Sequence, residues 1–344
     1  MSENLEQTPN VNPASEVAEK IETTAPNNNE NNPSAQPSEP TVESATKPAE
    51  PAAAPAEPTV DPMNDPRFEA PRAQRFPTWG DMLAVIGIYL LSTVATSLVV
   101  SVIAAISGGA ESFAEKISSG PMSALSYALS MGATIAGVLI YRKLRRGTGR
   151  MFHFSMRGFN PMLILWGFVM VLLTGVVIEP VLELFPDAFL KIIDKMGMHG
   201  GWSILMLVVL APVMEEVLFR GILLESVRSK HSAGRAIVVS ALMFGVIHLI
   251  PQQVVNAFAI GLILGYIYVR TESLWPVIII HALNNAMAYV IMQWSDGANF
   301  TVRSLIENNT LYAVVYGVSL AALVASGYMV WRSVEKINSK TPRA

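Results

Sequence analysis

Two adjacent glutamates and an arginine stand inside an apolar run, APVMEEVLFRG at residues 211–221, that begins near Trp202. An ionisable group in hydrocarbon costs about 2.5–3.5 kcal/mol on insertion scales, so three together need partners or a task. Glu216 and Arg220 are four residues apart, share a helix face and can neutralise each other. Glu215 lies about 100° round the helix and is left free for other work. Further along, FGVIH sets His248 four residues after Phe244, and HALNN sets Asn285 four residues after His281, again one helical step apart. Asn284 is turned about 100° away and reads as a residue bonding one helix to the next.

A lone histidine in an apolar helix is more often held by a neighbouring helix than catalytic; the combination carries the argument. At 1.5 Å rise per residue, Glu215 lies roughly 15–20 Å from the cytoplasmic end of its helix, His248 about 20 Å and His281 to Asn285 about 12–18 Å. A carboxylate, two imidazoles and an amide can therefore meet at one level and bind a divalent metal or activate a water. Hydrolysis suits them. A desolvated carboxylate is a good proton acceptor for water, and His248 can hold that water or relay its proton. His281 and the Asn285 amide can donate to a developing oxyanion, a role commonly worth about 10²–10³ in rate per donor.

These residues need membrane helices to carry them. The chain of 344 residues is 51% hydrophobic and 15% charged, with mean hydropathy +0.39, too apolar for an ordinary soluble domain. The expected fold is all-α, a polytopic membrane bundle of about eight spans near 80–106, 121–141, 162–184, 203–226, 234–250, 253–270, 273–292 and 310–331. LIPQQVVNAF, between the fifth and sixth, reads as a tight hairpin turn. HFSMRGFNPM reads as an interfacial lead-in with Phe152, Phe154 and Phe159 at headgroup level, and DAFLKIIDKMGMHGG as a short amphipathic interfacial helix.

Charge divides the chain. Residues 1–78 hold 13 acidic and 5 basic residues, and 13 of the 22 prolines fall before residue 76. That composition cannot bury enough apolar surface to offset its ordering entropy, so 1–78 is expected to be a disordered cytoplasmic tail without a signal peptide. The transmembrane domain then covers 79–334, with the catalytic core near 200–295 and a short basic cytoplasmic tail at 335–344. Lys and Arg favour the loops flanking even crossings, from Arg142 to Arg157, Arg228 to Arg235, and Arg332 to Arg343, so both termini are expected to be cytoplasmic. In a bacterium the location is the inner or cell membrane. The absence of cysteine excludes disulfides, thiolate nucleophiles and thiolate metal sites.

Three motifs in order, Glu215-Glu216-x-x-x-Arg220, Phe244-x-x-x-His248 and His281-x-x-x-Asn285, resemble those of the CPBP intramembrane proteases, also called the CAAX protease or Abi family. The resemblance covers roughly residues 200–295. It implies that Glu215 is the catalytic glutamate, His248 its partner in activating water, Glu216 and Arg220 a supporting pair, and His281 with Asn285 either oxyanion donors or, in an older view, metal ligands. No cofactor is then required, with a divalent metal such as Zn²⁺ on Glu215, His248 and His281 as the alternative. The partners implied are a peptide or protein substrate at the membrane and the bilayer itself, with no nucleic acid. Two other functions fit intramembrane Glu and His: a proton-coupled transporter, though no internal repeat is evident, and a non-catalytic immunity or signalling scaffold.

Overall fold

The computed structural model describes residues 75–107, 113–156, 159–186, 200–294, 301–306 and 308–340, without the side chains of 114, 116 and 117. The expected tail at 1–78 lies outside the described residues except for its last four, as do 187–199 of the expected interfacial helix and the final residues 341–344. The chain divides into two units, 1–68 and 69–344, and all that follows concerns the second.

In chain order the helices are α1 (Trp79–Ile106), α2 (Phe113–Ser118), α3 (Gly120–Leu144), α4 (Pro161–Leu182), α5 (Gly200–Arg228), α6 (Ala233–Val246), α7 (Pro251–Thr271), α8 (Leu274–Trp294), α9 (Val302–Leu305) and α10 (Asn309–Lys340). Among the described residues, seven of them (α1, α3, α4, α5, α7, α8 and α10) are long and apolar enough to cross a membrane. The protein is an all-α integral membrane bundle.

The fifth expected span is shorter than the apolar run suggests. α6 has 14 residues, about 21 Å, against a hydrocarbon core of about 30 Å. The run from Phe244 to Ile250 stays apolar, but the backbone reverses inside it. Leu249 adopts a left-handed conformation (φ 62°), Ile250 N donates to His248 O at 2.7 Å, and Pro251 holds Ile250 extended before opening α7. α6 and α7 then pack closely antiparallel. A Cβ on Gly245 would lie 2.8 Å from Val254 O, and one on Gly261 would lie 3.0 Å from Ala241 Cα. His248 thus occupies the turn at the tip of a hairpin, not the interior of a helix.

Two other devices frame the core. Thr78 caps α1 in a capping box with Asp81, and the Asp81 carboxylate also accepts from Tyr141 Oη at 2.7 Å and Arg145 Nε at 2.9 Å, pinning the start of α1 to the end of α3. The lead-in before α4 is an extended strap. Phe152 N donates to Gly221 O at 3.3 Å, Leu274 N to His153 O at 2.7 Å, and Phe154 bridges Ser273, whose hydroxyl donates to Ser155 O. Phe154 and Phe159 are exposed, as a headgroup position requires, whereas Phe152 turns inward onto the core and the strap ties α5 to the α7–α8 turn.

Candidate active site

The helix that carries the glutamates is not uniformly α-helical. In α5 the residues Leu205–Leu210 and Val217–Leu224 are π-helical, and the short α-helical stretch Ala211–Glu216 lies between them. A π turn displaces the usual i→i−4 pairing and loosens the carbonyl ladder, and such turns recur at functional sites. Here neighbouring helices use the loosened carbonyls. Asn285 Nδ2 in α8 donates to Leu207 O at 2.9 Å, and Ser240 Oγ in α6 donates to Phe219 O at 2.9 Å.

Between the two π stretches, the two glutamates take different partners. Glu216 and Arg220 are fully buried and paired, with Arg220 Nη1 donating to Glu216 Oε1 at 2.8 Å and Nη2 to Gly261 O at 3.3 Å. His281 Nδ1 reaches the same Glu216 oxygen at 2.9 Å. An ionised carboxylate only accepts, so that imidazole nitrogen carries a hydrogen. The other nitrogen, Nε2, then faces Glu215 Oε2 at 3.7 Å. Glu215 accepts on its Oε1 from the Tyr127 hydroxyl of α3 at 2.8 Å, its one hydrogen bond among the described residues.

Phe244 joins the histidines. Its ring meets His248 edge-on at 5.1 Å and His281 at 5.6 Å between centroids, packs on Phe219, and lies 4.7 Å below the Arg220 guanidinium carbon. His248 Nδ1 hydrogen-bonds Phe244 O at 2.8 Å. A carbonyl can only accept, so the tautomer is set with the proton on Nδ1 and the lone pair on Nε2.

The structure therefore brings Glu215, Glu216, Arg220 and His281 into direct contact, and reaches His248 through Phe244. It does not bring Asn285 onto His281. One Asn285 amide hydrogen is committed to α5, and Asn284 turns towards its neighbour, with Asn284 Nδ2 to Asn285 Oδ1 at 3.3 Å, instead of bonding another helix. The metal alternative can be tested on the same geometry. Among the described residues no group of three or more His, Asp or Glu side chains is arranged to hold an ion, and the two imidazoles are separated by contacts to one phenyl ring. Among the described residues, Glu215, His248 and His281 are not preassembled around an ion.

Tyr127 was missed in the sequence, although a signal exists. Tyrosines in membrane helices favour the interfaces, and Tyr127 sits about 10 Å beyond the start of α3, where its hydroxyl needs an acceptor.

Residues 198–287 match the family model described as Type II CAAX prenyl endopeptidase Rce1-like. That segment holds all seven motif residues, from Glu215 to Asn285. The match supports a likeness to the CPBP family over this segment. The chain is also similar to the "Putative membrane peptidase YdiL" of Bacillus subtilis (strain 168), with 28% identity over 92 residues. The aligned part is 27% of this chain and 37% of that relative's length. No solved structure matches the chain significantly. The matched segment runs from the start of α5 into α8, the helices that build the glutamate and histidine cluster, whereas α3, which brings Tyr127, lies outside the matched residues.

Proposed function

We propose that this protein is an intramembrane endopeptidase that hydrolyses a peptide bond in a membrane-associated or lipid-anchored substrate with a water activated by Glu215 and His248. The observation that supports it best is the buried Glu215 carboxylate, one oxygen held by Tyr127 and the other 3.7 Å from His281 Nε2. His281 Nε2 and Glu215 Oε2 are too far apart for a direct hydrogen bond. A water in that gap can donate one hydrogen to Glu215 Oε2 and keep the other for His248, and it sits where it can be deprotonated.

In the proposed step, Glu215 Oε2 takes a proton from the water while the water oxygen bonds the scissile carbonyl carbon. The carbonyl π electrons move to oxygen, and the remaining Asn285 amide hydrogen is the candidate donor to it. Collapse of the tetrahedral species breaks the C–N bond, and the proton held by Glu215 goes to the departing amine. His248, with Nε2 as acceptor, orients the same water. Glu216 and Arg220 act by fixing His281 and by compensating one of the two carboxylate charges. No metal is needed by this chemistry, and cleavage by protein stripped of metal is its expected outcome.

We also assign both termini to the cytoplasm. The basic loops support it, and it requires that α6 and α7 together return to the side they entered from, since seven crossings would put the termini on opposite sides. The test of the reading is cleavage of membrane-associated peptides in proteoliposomes by wild type, Glu215→Ala and His248→Ala. Full activity in both variants would sink it.

A further inference from the structure

Glu215 owes its only hydrogen bond among the described residues to a helix that neither the three motifs nor the family match includes. The Tyr127 phenol and the Glu215 carboxylate are 88 positions apart in the chain and meet at 2.8 Å. The ionised carboxylate cannot donate, so the phenol does.

The register of α3 on α5 fixes where that phenol stands. The two helices run parallel, with Gly120 against Trp202, where a Cβ would lie 2.9 Å from Trp202 Cβ, and Gly132 against Met214. Arg142 Nε donates to Ser226 Oγ at 3.0 Å near the far end. Tyr127 lies between these contacts, held from both directions. α1 supports it from behind, with Thr93 Oγ1 and Ser130 Oγ 3.0 Å apart and Gly137 seated on Ile88.

We propose that Tyr127 is a positioning residue for the reaction: by occupying Glu215 Oε1 it turns Oε2 towards His281 and makes α3 a working part of the site. This rests on the reading of Glu215 as the base. Glu215 stands on a helix face with three rotatable side-chain bonds, and its contact with His281 at 3.7 Å is longer than a hydrogen bond. Without the phenol, no hydrogen bond among the described residues selects which oxygen faces the imidazole. A purely structural tyrosine would instead contribute through its ring, which packs against the core.

Tyr127→Phe keeps the ring and removes the donor. Expected is a fall in kcat of tenfold or more, with KM within twofold and the thermal unfolding midpoint unchanged. The infrared carboxyl band of Glu215, assigned by its loss in Glu215→Gln, should also move in Tyr127→Phe. An active enzyme whose kcat survives the substitution overturns the proposal, and so does an unmoved Glu215 band. The two readouts separate failures: if wild type cleaves no peptide the functional reading falls, while the band alone still decides whether the phenol holds Glu215.

Discussion

Removing Arg220 and Glu216 together should cost less stability than the two separate removals add up to. Both side chains are fully buried, and the pair is 2.8 Å apart. Breaking a buried pair by deleting one partner costs about 3–5 kcal/mol, because the other charge is left uncompensated. Arg220 also donates to Gly261 O and lies over the Phe244 ring, and a desolvated cation–π contact contributes about 2 kcal/mol more. Against that, methionine fills much of the vacated volume, so Arg220→Met is expected to lose about 4–5 kcal/mol. Arg220→Met with Glu216→Gln removes both charges, and the double variant should be less destabilised than the sum of the singles by about 1–3 kcal/mol. The assay is reversible unfolding in mixed micelles with increasing SDS, with the four members of the cycle measured in one detergent. Arg220→Met within 1 kcal/mol of wild type, or strict additivity in the double variant, refutes the reasoning. Either result means that the ion pair is hydrated or that Glu216 is neutral without it.

Two further outcomes follow from the packing. Gly245→Ala places a methyl 2.8 Å from the Val254 carbonyl, a backbone atom that cannot swing aside, so the α6–α7 hairpin should lose about 1–3 kcal/mol, read by the same SDS titration; an unchanged midpoint contradicts the close approach. Ser240→Ala leaves Phe219 O in the second π stretch without its side-chain donor and should cost roughly 1 kcal/mol. Hydrogen exchange localised to Val217–Leu224 checks it, and unaltered exchange there means that the hydroxyl does not support the π turn.

Much of the site was legible because helix geometry is local. The four-residue step from Glu216 to Arg220 required an ion pair, and the 100° offset of Glu215 required a different partner; the structure has both. What the sequence hid was set by tertiary contact. No propensity marks Leu249 for a left-handed turn, so an apolar run that continues to Ile250 conceals a helix ending at Val246. π turns leave no residue signature either, and Asn285, aligned with His281 on paper, is drawn off by the Leu207 carbonyl that such a turn offers. His281 is likewise committed to the glutamates, which no spacing within α8 could have foretold. The long apolar runs, by contrast, needed no tertiary information: seven of the eight expected spans are long helices within a few residues of the expected bounds, though α5 and α10 extend further at their ends.

The central claim is that Glu215 makes this bundle a peptidase. Incubating a peptide library with purified wild type and with Glu215→Gln in proteoliposomes, then mapping cut sites by mass spectrometry, tests it directly. Wild type should give discrete cut sites that vanish with Glu215→Gln while the variant stays folded. Identical cut maps from the two proteins, or no cleavage by folded wild type, would contradict it.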